Sequence, residues 1–469
     1  MEQIKQRFSP QDDYLKLAVV GHTNTGKTSL LRTLLHDADF GEVANAPATT
    51  RHVEGAVLRL EHLKLQWFDT PGIEDSIALL DYLDQLQQQS STRLDGPAII
   101  ERFLDSPESQ QRFEQEARVL RQLLACDAGL YVVDVREPVR SKHRDELTIL
   151  ARCGRPLIPV LNFLHHPDNY SEDWKNTLSR LGLHLIIEFD TVAPAIDGEQ
   201  QLYQKLALVL DEHRQSLNEL AEGANKRRQR RRQQGQELLA ELLIDVSAFR
   251  RQSTSDSSDN EQEGIRIWQD MQEQVRQREH QFIRDLLGLY RFHEEDYEED
   301  LLPISGERWE SDLFSTEALK DMGIRVSKGF AAGAMAGATV DIITGGLSLG
   351  AGTLVGGLVG GLWQGAEKVG NRILGMLQGY RELTVDDAVL RLLAVRGLRL
   401  LDALDRRGHA AQNRIERHDA DYKNWQEEAL PRPLKNARSY PEWSSLNKDF
   451  KDSRARGEEI RELSQTLNP

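Results

Sequence analysis

Cysteine, aromatic residues and positive charge are all scarce in this sequence, and each shortage excludes a class of protein. The 469 residues include two cysteines, too few for a disulfide framework and typical of a reducing compartment. Aromatic residues make up 6% of the chain beside 34 glycines, which describes a soluble, largely helical protein rather than a polytopic membrane protein. Lys and Arg number 59 against 75 Asp and Glu, a net charge of −16, so the whole surface cannot attract nucleic acid. Any anion site must be local, and we expect no specific nucleic-acid partner.

A long apolar run is also missing from the N-terminus. Residues Met1 to Tyr14 are polar and charged and lack the apolar core of roughly 7 to 15 residues that a secretory signal needs. We therefore expect a cytoplasmic protein. At about 150 residues per domain, a chain of this length holds about three domains.

Short β-rich runs alternate with helical patterns over residues 1–215. This alternation is typical of βαβ crossovers and a mostly parallel sheet flanked by helices, with ligands at the carboxyl ends of the strands. The predicted helices are Thr28 to His36, Lys142 to Cys153 and Ser171 to Leu181. The predicted strands are Leu15 to Val20, Val53 to Leu60, Leu63 to Phe68, Gly129 to Val135, Pro156 to Phe163 and His184 to Phe189.

A glycine-rich loop between the first strand and the first helix carries the strongest chemical signal. Residues Gly21 to Thr28 (GHTNTGKT) match the P-loop pattern G-x-x-x-x-G-K-[ST]. Its glycines let backbone N–H groups converge on phosphate oxygens, while the helix N-terminus adds partial positive charge. Lys27 then bridges the β- and γ-phosphates, and Thr28 supplies an oxygen to Mg²⁺. The predicted contacts to the nucleotide in this loop are Gly21, Asn24, Thr25, Gly26, Lys27, Thr28 and Ser29.

A second motif agrees with the first. The predicted strand Leu63 to Phe68 ends in Asp69-Thr70-Pro71-Gly72, a carboxylate followed by a glycine turn. Asp69 at this position can hold a water of the Mg²⁺ shell, and the Gly72 N–H can reach the γ-phosphate and sense its loss on hydrolysis. Downstream of a P-loop, this reading outweighs that of an ordinary surface turn.

These two motifs, with Pro47-Ala48-Thr49-Thr50-Arg51 between them, resemble the Era/TrmE-like branch of the translation-factor-related GTPases. The resemblance covers residues 15–210 and implies an α/β P-loop NTPase fold that binds GTP and hydrolyses it to GDP and phosphate. In that family the second threonine of the T-T-R sequence binds Mg²⁺ from switch I, which carries over to Thr50, with Thr49 as the fallback. The resemblance implies Lys27, Thr50 and Gly72 as catalytic residues, and Thr28, Thr50 and Asp69 as the Mg²⁺ ligands.

Asn24 in the P-loop bears on the mechanism. In members of the family with asparagine at this position, K⁺ can be coordinated against the phosphates, where it supplies the charge that an arginine finger supplies elsewhere. Alternatively, Asn24 only stabilises the loop, because asparagine tolerates unusual backbone conformations. Ile73 stands where Ras-like proteins place a glutamine that orients water. We therefore expect slow hydrolysis, stimulated by K⁺ and by homodimerisation of the nucleotide-binding domains.

The base-reading motif departs from the family. The family pattern N-K-x-D is replaced by Asn162-Phe163-Leu164-His165, so only Asn162 is kept, as a predicted contact to the nucleotide. In the family the missing aspartate accepts from both N1–H and the 2-amino group of guanine, and such a site discriminates strongly. His165 could accept one bond, and Asp168 could substitute only if its loop folds back; Asp190-Thr191-Val192-Ala193 matches the family's S-A-K loop poorly. GTP is the favoured nucleotide, and ATP or relaxed specificity stays open.

The sequence divides the chain into several regions. We place a GTP-binding domain at 1–215, with an insertion at switch II over 74–127 that is either a partner contact or a tolerated surface excursion. A helical region at 216–328 contains a disordered linker at 252–264, whose sequence offers nothing apolar to pack. It also contains an amphipathic helix whose apolar face is formed by Trp268, Met271, Val275, Phe282 and Leu286.

A nearly charge-free, glycine-rich segment precedes the C-terminal helical region at 371–469. Glycines repeat at four-residue spacing within 329–370, which predicts a helical hairpin with a glycine zipper. Residues Ile342 to Ala366 carry no charge over 25 positions, long enough to span a bilayer. Two interpretations stay open: reversible or hairpin insertion at the inner membrane, and a tightly packed soluble hairpin.

A basic run, Lys226 to Arg232 (KRRQRRR), also has two interpretations. It is either a solvated helix face paired with the acidic block at 294–300, or a contact for anionic lipid headgroups or RNA. No aromatic residue interrupts the run, so the solvated face is favoured.

The chain also resembles a group of bacterial proteins in which such a GTPase domain precedes an uncharacterised helical C-terminal domain. The sequence as a whole predicts a GTP-hydrolysing switch whose helical half contacts an effector, at a membrane surface in one interpretation. The rivals are a non-hydrolysing nucleotide-gated scaffold and a GTPase of tRNA modification or ribosome maturation.

Overall fold

The computed structural model divides into two compact units, Met1–Arg228 with Arg406–Gln412, and Gln229–Asp405 with Asn413–Pro469. The first unit ends inside a continuous helix, whereas the sequence predicts a boundary at residue 215. The structure describes residues 14–36, 54–59, 64–90, 93–254, 260–292, 313–314, 319–320, 323–324, 347–349, 380–408, 422, 425–426 and 429–467.

The first unit is built on a six-stranded sheet. Its order is β2-β3-β1-β4-β5-β6, and every neighbouring pair is parallel except the antiparallel pair β2 and β3. All six predicted strands are found, although β6 is only two residues long. The strands are β1 Tyr14–Val20, β2 Glu54–Arg59, β3 Lys64–Asp69, β4 Ala128–Asp134, β5 Leu157–Asn162 and β6 Ile187–Glu188.

Helices cover both faces of this sheet, which confirms the predicted α/β P-loop NTPase class. Along β1 the side chains alternate: Leu17 and Val19 join the core on one face, while Ala18 and Val20 join the core on the other. This period of two is the pleat of a strand buried on both sides. The helices of this unit are α1 Lys27–Leu35, α2 Ser76–Gln88, α3 Gly96–Leu104, α4 Glu114–Leu124, α5 Ser141–Ala151, α6 Ser171–Arg180, α7 Gly198–Val209 and the start of α8 Arg214–Ala248.

The predicted insertion at 74–127 is a packed helical layer. Asp75 and Asp95 cap α2 and α3, since each carboxylate accepts from a backbone N–H three residues later. A 3₁₀ turn, Pro107–Gln110, lies between α3 and α4. The insertion buries large apolar side chains against one face of the sheet, among them Leu79, Leu83, Phe103, Phe113 and Leu120.

The second unit is largely helical and has a core of its own. Buried apolar residues of the end of α8, of α9 Asn260–Leu289 and of α10 Asp387–Asp405 form one cluster, joined by α11 Arg432–Ala437 and α12 Arg454–Thr466. The predicted amphipathic helix is confirmed, since α9 buries Met271, Val275, Phe282 and Leu286 and packs Trp268 at the edge.

Ionic groups inside this second core are paired. The buried Asp245 carboxylate accepts from Arg278 Nε at 2.8 Å and from Arg456 Nη2 at 3.0 Å. Removing one partner of such a buried pair leaves an uncompensated charge, at a cost of about 3–5 kcal/mol. The network therefore fixes how α8, α9 and α12 pack.

The structure corrects two predictions outside the first unit. The segment 252–264 is not one disordered linker: β7 Arg250–Thr254 pairs antiparallel with β9 Tyr380–Val385, and α9 begins at Asn260. Of the predicted hairpin 329–370 the structure describes 347–349, which form strand β8 Leu347–Leu349 beside β9 instead of a helix; the rest of the hairpin, including its glycine repeats, lies outside the described residues. Among the described residues, none of the helices combines the length and the apolar character that a bilayer span requires.

The basic run Lys226 to Arg232 has acidic partners. Arg227 pairs with Glu199 at 3.2 Å, and Arg232 donates to Asp402 and Asp405 at 2.8 and 2.6 Å. The acidic block at 294–300, the partner expected from sequence, lies outside the described residues. Part of the run's charge is thus neutralised by α7 and α10.

Candidate functional site

The P-loop lies between the end of β1 and the start of α1, as the sequence predicts. Gly21 and Gly26 adopt φ of +142° and +91°, backbone conformations that favour glycine. A Cβ on Gly21 would lie 2.6 Å from Val132 O, and one on Gly26 would overlap Asn162 Nδ2. Asn24 is exposed with φ of +64°, as its loop-stabilising interpretation requires. Backbone geometry thus explains the two glycines and is compatible with the loop-stabilising interpretation of Asn24.

Lys27 closes the loop on itself. Its Nζ donates to Gly21 O at 3.1 Å and to His22 O at 2.7 Å. Burial lowers the pKa of the Lys27 ammonium, and the carboxylates of Asp69 and Glu146 oppose that shift. A buried cation at the N-terminus of α1 is suited to bind an anion with several oxygens.

Thr28 and Asp69 meet beside Lys27. Thr28 Oγ1 donates to Asp69 Oδ2 at 2.5 Å, and both side chains are buried. The sheet sets this contact, because Asp69 at the end of β3 stands in register with Val19 on β1. A hydroxyl and a carboxylate are the hard oxygen donors that Mg²⁺ prefers. The residues present therefore fit the predicted magnesium site.

The loop after β3 is held against the P-loop. Ile73 N donates to Gly21 O at 3.4 Å, and Thr70 Oγ1 donates to Val19 O at 2.7 Å. Gly72 packs so closely on Thr23 that a Cβ would overlap it. Thr23 Oγ1 is buried and has no hydrogen-bond partner within the described residues. A shift of the Gly72 backbone therefore acts directly on Thr23 of the P-loop.

The insertion contacts this same loop, a feature that sequence reasoning missed. Gln115 Nε2 on α4 donates to Gly72 O at 2.5 Å. Glu116 Oε1 accepts from the backbone N–H groups of Glu74 and Asp75, at 3.2 Å each. Sequence spacing gives no sign of these bonds, because they join residues more than 40 positions apart through tertiary packing. We name Gln115 and Glu116 together the α4 clasp.

Asn162 joins the loops after β1, β5 and β6. Its Nδ2 donates to Thr25 O at 3.0 Å, and its Oδ1 accepts from Phe163 N and Thr191 N at 2.9 Å each. The side chain is completely buried. The one residue of the base-reading motif that this sequence keeps is thus a brace between three loops.

The structure places His165 and Asp168, the two candidates to replace the missing aspartate, in different surroundings. Asp190 Oδ2 accepts from His165 N at 3.2 Å and lies 3.1 Å from His165 Nδ1. Asp168 N instead donates to His166 Nδ1 at 3.2 Å, within its own turn. The structure brings His165 and Asp190 together.

A buried carboxyl group lies near Lys27 and was not anticipated from sequence. Glu146 on α5 is completely buried, and its Oε2 accepts from Tyr131 Oη at 2.9 Å. Burial raises the pKa of Glu146 to about 8. A small cavity of about 40 Å³ lies alongside, lined in part by His22, Tyr131 and His143, large enough for ordered water but not for a nucleotide.

Several predicted site residues remain to be placed. Ser29 lies partly exposed on α1. Thr49 and Thr50, the predicted switch I threonines, lie outside the described residues. Over the described part of the chain, no group of three or more His, Cys, Asp or Glu side chains is arranged to hold a metal ion, so the Mg²⁺ site rests on Thr28 and Asp69.

Comparison with known proteins agrees with this geometry. Residues 16–163 match the family described as 50S ribosome-binding GTPase. The tRNA modification GTPase MnmE of Mycoplasmoides gallisepticum is 25% identical over 187 residues, 37% of this chain and 40% of that protein. GTPase Der of Klebsiella pneumoniae is 24% identical over 161 residues, 34% of this chain and 27% of that protein. The chain thus spans less than half the length of these relatives.

Solved structures with a similar chain include Era of Aquifex aeolicus bound to GDP and AlF4⁻, with a TM-score of 0.30, 18% identity, and coverage of 42% of this chain and 56% of that one. The G domain of the T. maritima FeoB iron transporter has a TM-score of 0.25 and 19% identity, over 41% of this chain and 97% of that one.

The C-terminal part matches a different family. Residues 175–465 match the model described as a domain of unknown function, DUF3482, and this match spans more than half of the chain. The region that matches the GTPase family therefore precedes a largely helical region of the DUF3482 family, as the sequence predicted. The chain belongs to the DUF3482 family.

Proposed function

We propose that this protein binds GTP with Mg²⁺ in the P-loop and hydrolyses it to GDP and phosphate. The observation that carries the proposal is the cluster of Lys27, Thr28 and Asp69, in which a buried ammonium stands beside two buried oxygen donors. Homology to the GTPases named above supports the same reaction. We take residues 1–215 as the region that carries it.

Each residue of the site has a role in this proposal. Backbone N–H groups from Gly21 to Ser29 bind phosphate oxygens, and Lys27 exchanges its two loop carbonyls for the β- and γ-phosphates. Bound Mg²⁺ supplies charge that offsets the developing negative charge on those phosphates, and Thr28, Asp69 and Thr50 are the residues that would hold it. Gly72 N–H binds the γ-phosphate and reports its loss.

Hydrolysis is slow in this proposal, because Ile73 offers no polar group to orient water. Asn24 is the residue that would hold K⁺, which would supply positive charge beside the phosphates and so stimulate the reaction. Pairing of two nucleotide-binding domains would complete that site. The exposed position of Asn24 leaves its side chain accessible to both.

The α4 clasp supports a switch. A shift of Gly72 on loss of the γ-phosphate breaks or strains the Gln115 bond, and the whole α2–α4 layer then responds. We propose that the helical DUF3482 region contacts the effector. Flotation with anionic liposomes in the GTP and GDP states tests whether residues 329–370 add a membrane contact; absence of flotation in both states removes that part.

Phosphate release from GTP by the full chain tests hydrolysis. We expect turnover in K⁺ buffer that falls several-fold in Na⁺ and is lost in Lys27→Ala. Lys226→Ala is the matched control, because Lys226 is 69% exposed on α8 and outside the site. Turnover equal in Lys27→Ala and native protein would contradict the proposal. Tight GTP binding without turnover would favour the rival function, a nucleotide-gated scaffold, which the missing water-orienting residue also allows.

A further inference from the structure

The order of the strands beside the P-loop indicates on which side of β1 the base of a bound nucleotide lies. The loop after β3 and the Thr28–Asp69 pair occupy one side of β1, so the γ-phosphate and its metal belong on that side. The nucleoside must then leave toward β4, β5 and β6, on the other side. The carboxyl ends of parallel strands are where α/β folds bind ligands. Asn162 ties the loops after β5 and β6 to Thr25 of the P-loop.

The guanidinium of Arg136 and the aromatic ring of Phe163 lie at the carboxyl ends of β4 and β5. Phe163 adopts φ of +62°, and its ring reaches the P-loop, with Cζ 3.3 Å from the position of a Cβ on Gly26. Arg136 Cζ lies 3.7 Å from the centroid of the Phe163 ring. Asp134 holds that guanidinium in place with bonds of 2.9 Å to Nε and 2.7 Å to Nη2. Together they offer a stacking surface that accepts any purine.

The hydrogen bond to Asp190 selects the tautomer of the neighbouring His165 ring. The Asp190 carboxylate is 4% exposed and accepts from four donors: His165 N and Nδ1 at Oδ2, and Val192 N and Ala193 N at Oδ1. An ionised carboxylate only accepts hydrogen bonds. Nδ1 of the neutral His165 ring therefore carries the proton, and Nε2 carries the lone pair. The His165 side chain is 69% exposed, which leaves Nε2 accessible to a ligand.

We propose that His165 Nε2 reads the purine by accepting a single hydrogen bond from its N1–H. Guanine and hypoxanthine both carry a hydrogen at N1 and satisfy this acceptor. Adenine carries a lone pair at N1, so two acceptors face each other and neither is satisfied. A single acceptor does not bind the 2-amino group in addition. The site is therefore specific for 6-oxopurines and nearly indifferent to the group at C2.

This inference rests on the proposed function and adds its specificity. Binding to the full chain is measured by calorimetry with GDP, IDP and ADP, with Mg²⁺ and K⁺. We expect GDP and IDP to bind within about threefold of each other, and ADP to bind at least about tenfold more weakly.

Variants assign the effect to the ring. His165→Ala should weaken GDP and IDP about tenfold and leave ADP unchanged, so that the three affinities converge. His166→Ala is the matched control: its exposed ring hydrogen-bonds to the backbone of Asp168, within its own turn, and we expect all three affinities to stay unchanged. Asp190→Asn replaces one of the two acceptor oxygens by a donor amide, which weakens the selection of the Nδ1–H tautomer and should narrow the difference between GDP and ADP as well.

Two results would overturn the assignment of His165 while leaving the proposed function intact. One is a preference of native protein for GDP over IDP above tenfold, which shows that the 2-amino group is read. The other is an unchanged ratio of GDP to ADP affinity in His165→Ala. Failure of native protein to bind any of the three nucleotides refutes the proposed function itself.

Discussion

The two ends of the nucleotide site differ in how they depend on sequence. At the phosphate end, Gly21, Gly26 and Lys27 meet requirements of backbone geometry and charge that few other residues can meet. At the base end, Asn162 is kept as a brace, while the residue proposed to read the base is a histidine supported from another loop by Asp190. Phosphate binding is thus tied to the fold, whereas base recognition uses side chains that can be exchanged.

The largest expected effect is a loss of GTP affinity from a substitution at the phosphate end alone. Thr28→Val removes the hydroxyl beside Asp69 and should weaken GTP binding about 100-fold with Mg²⁺ present, but only slightly in EDTA. Calorimetric titration under both conditions measures this difference. Thr148→Val, on α5 with its hydroxyl bonded to Arg144 O, is the control. Equal losses with and without Mg²⁺ would show that Thr28 does not act through the metal.

A second substitution tests Gly26, where the phosphate end of the site contacts Asn162 of the base end. Gly26→Ala forces a Cβ onto Asn162 Nδ2 at φ of +91° and should lower the free energy of unfolding by about 2–4 kcal/mol. Gly182→Ala is the matched control, because it has φ of +81° with nothing within 4 Å and should cost about 1–2 kcal/mol. Denaturant titration compares the two. An equal cost would mean that Asn162 yields without loss.

A third test separates binding from switching. Glu116→Ala removes the acceptor of two backbone N–H groups after Gly72 and should lower GTP turnover several-fold while GTP affinity stays nearly unchanged. Glu114→Ala, whose partner Arg118 lies on the same helix, should change neither. A fall in affinity equal to the fall in turnover would place the α4 clasp in nucleotide binding instead.

The smallest expected effect concerns Glu146 behind the phosphate end. Burial raises its pKa from an ordinary 4.5 to about 8, so the folded chain keeps a proton that the unfolded chain releases. This group therefore lowers stability as pH rises from 4.5 to about 8, and its effect is constant above that range. Glu146→Gln should raise the melting temperature by several degrees at pH 8 and hardly at pH 5. An equal gain at both pH values would contradict the raised pKa; exposed Glu101→Gln is the control.

Sequence reasoning predicted the first unit better than the second for a physical reason. The central strands of the first unit, β1, β4 and β5, are largely buried, so apolar runs mark them, and the P-loop is one continuous segment. By contrast, β7 has the sequence Arg-Arg-Gln-Ser-Thr, and its hydrogen bonds come from β9, more than a hundred residues later. A polar strand stabilised by a distant partner leaves no local pattern.

The same limit applies within the site. Lys27, Thr28 and Asp69 follow from two local motifs joined by a parallel strand pair. The α4 clasp, Arg136 on Phe163 and the Asp190 support of His165 each join separate segments, and their residue types are common on protein surfaces. No local sequence motif fixes the residues of such contacts. Sequence analysis could therefore narrow the proposed base-reading residue to His165 or Asp168, but could not choose between them.

Calorimetric titration of the purified full chain with GTP and ATP, with Mg²⁺ in K⁺ buffer, tests the central claim most directly. We predict one nucleotide site per chain, with GTP bound more tightly than ATP and neither bound by Lys27→Ala. Folded protein that takes up neither nucleotide at millimolar concentration would contradict the account at its foundation.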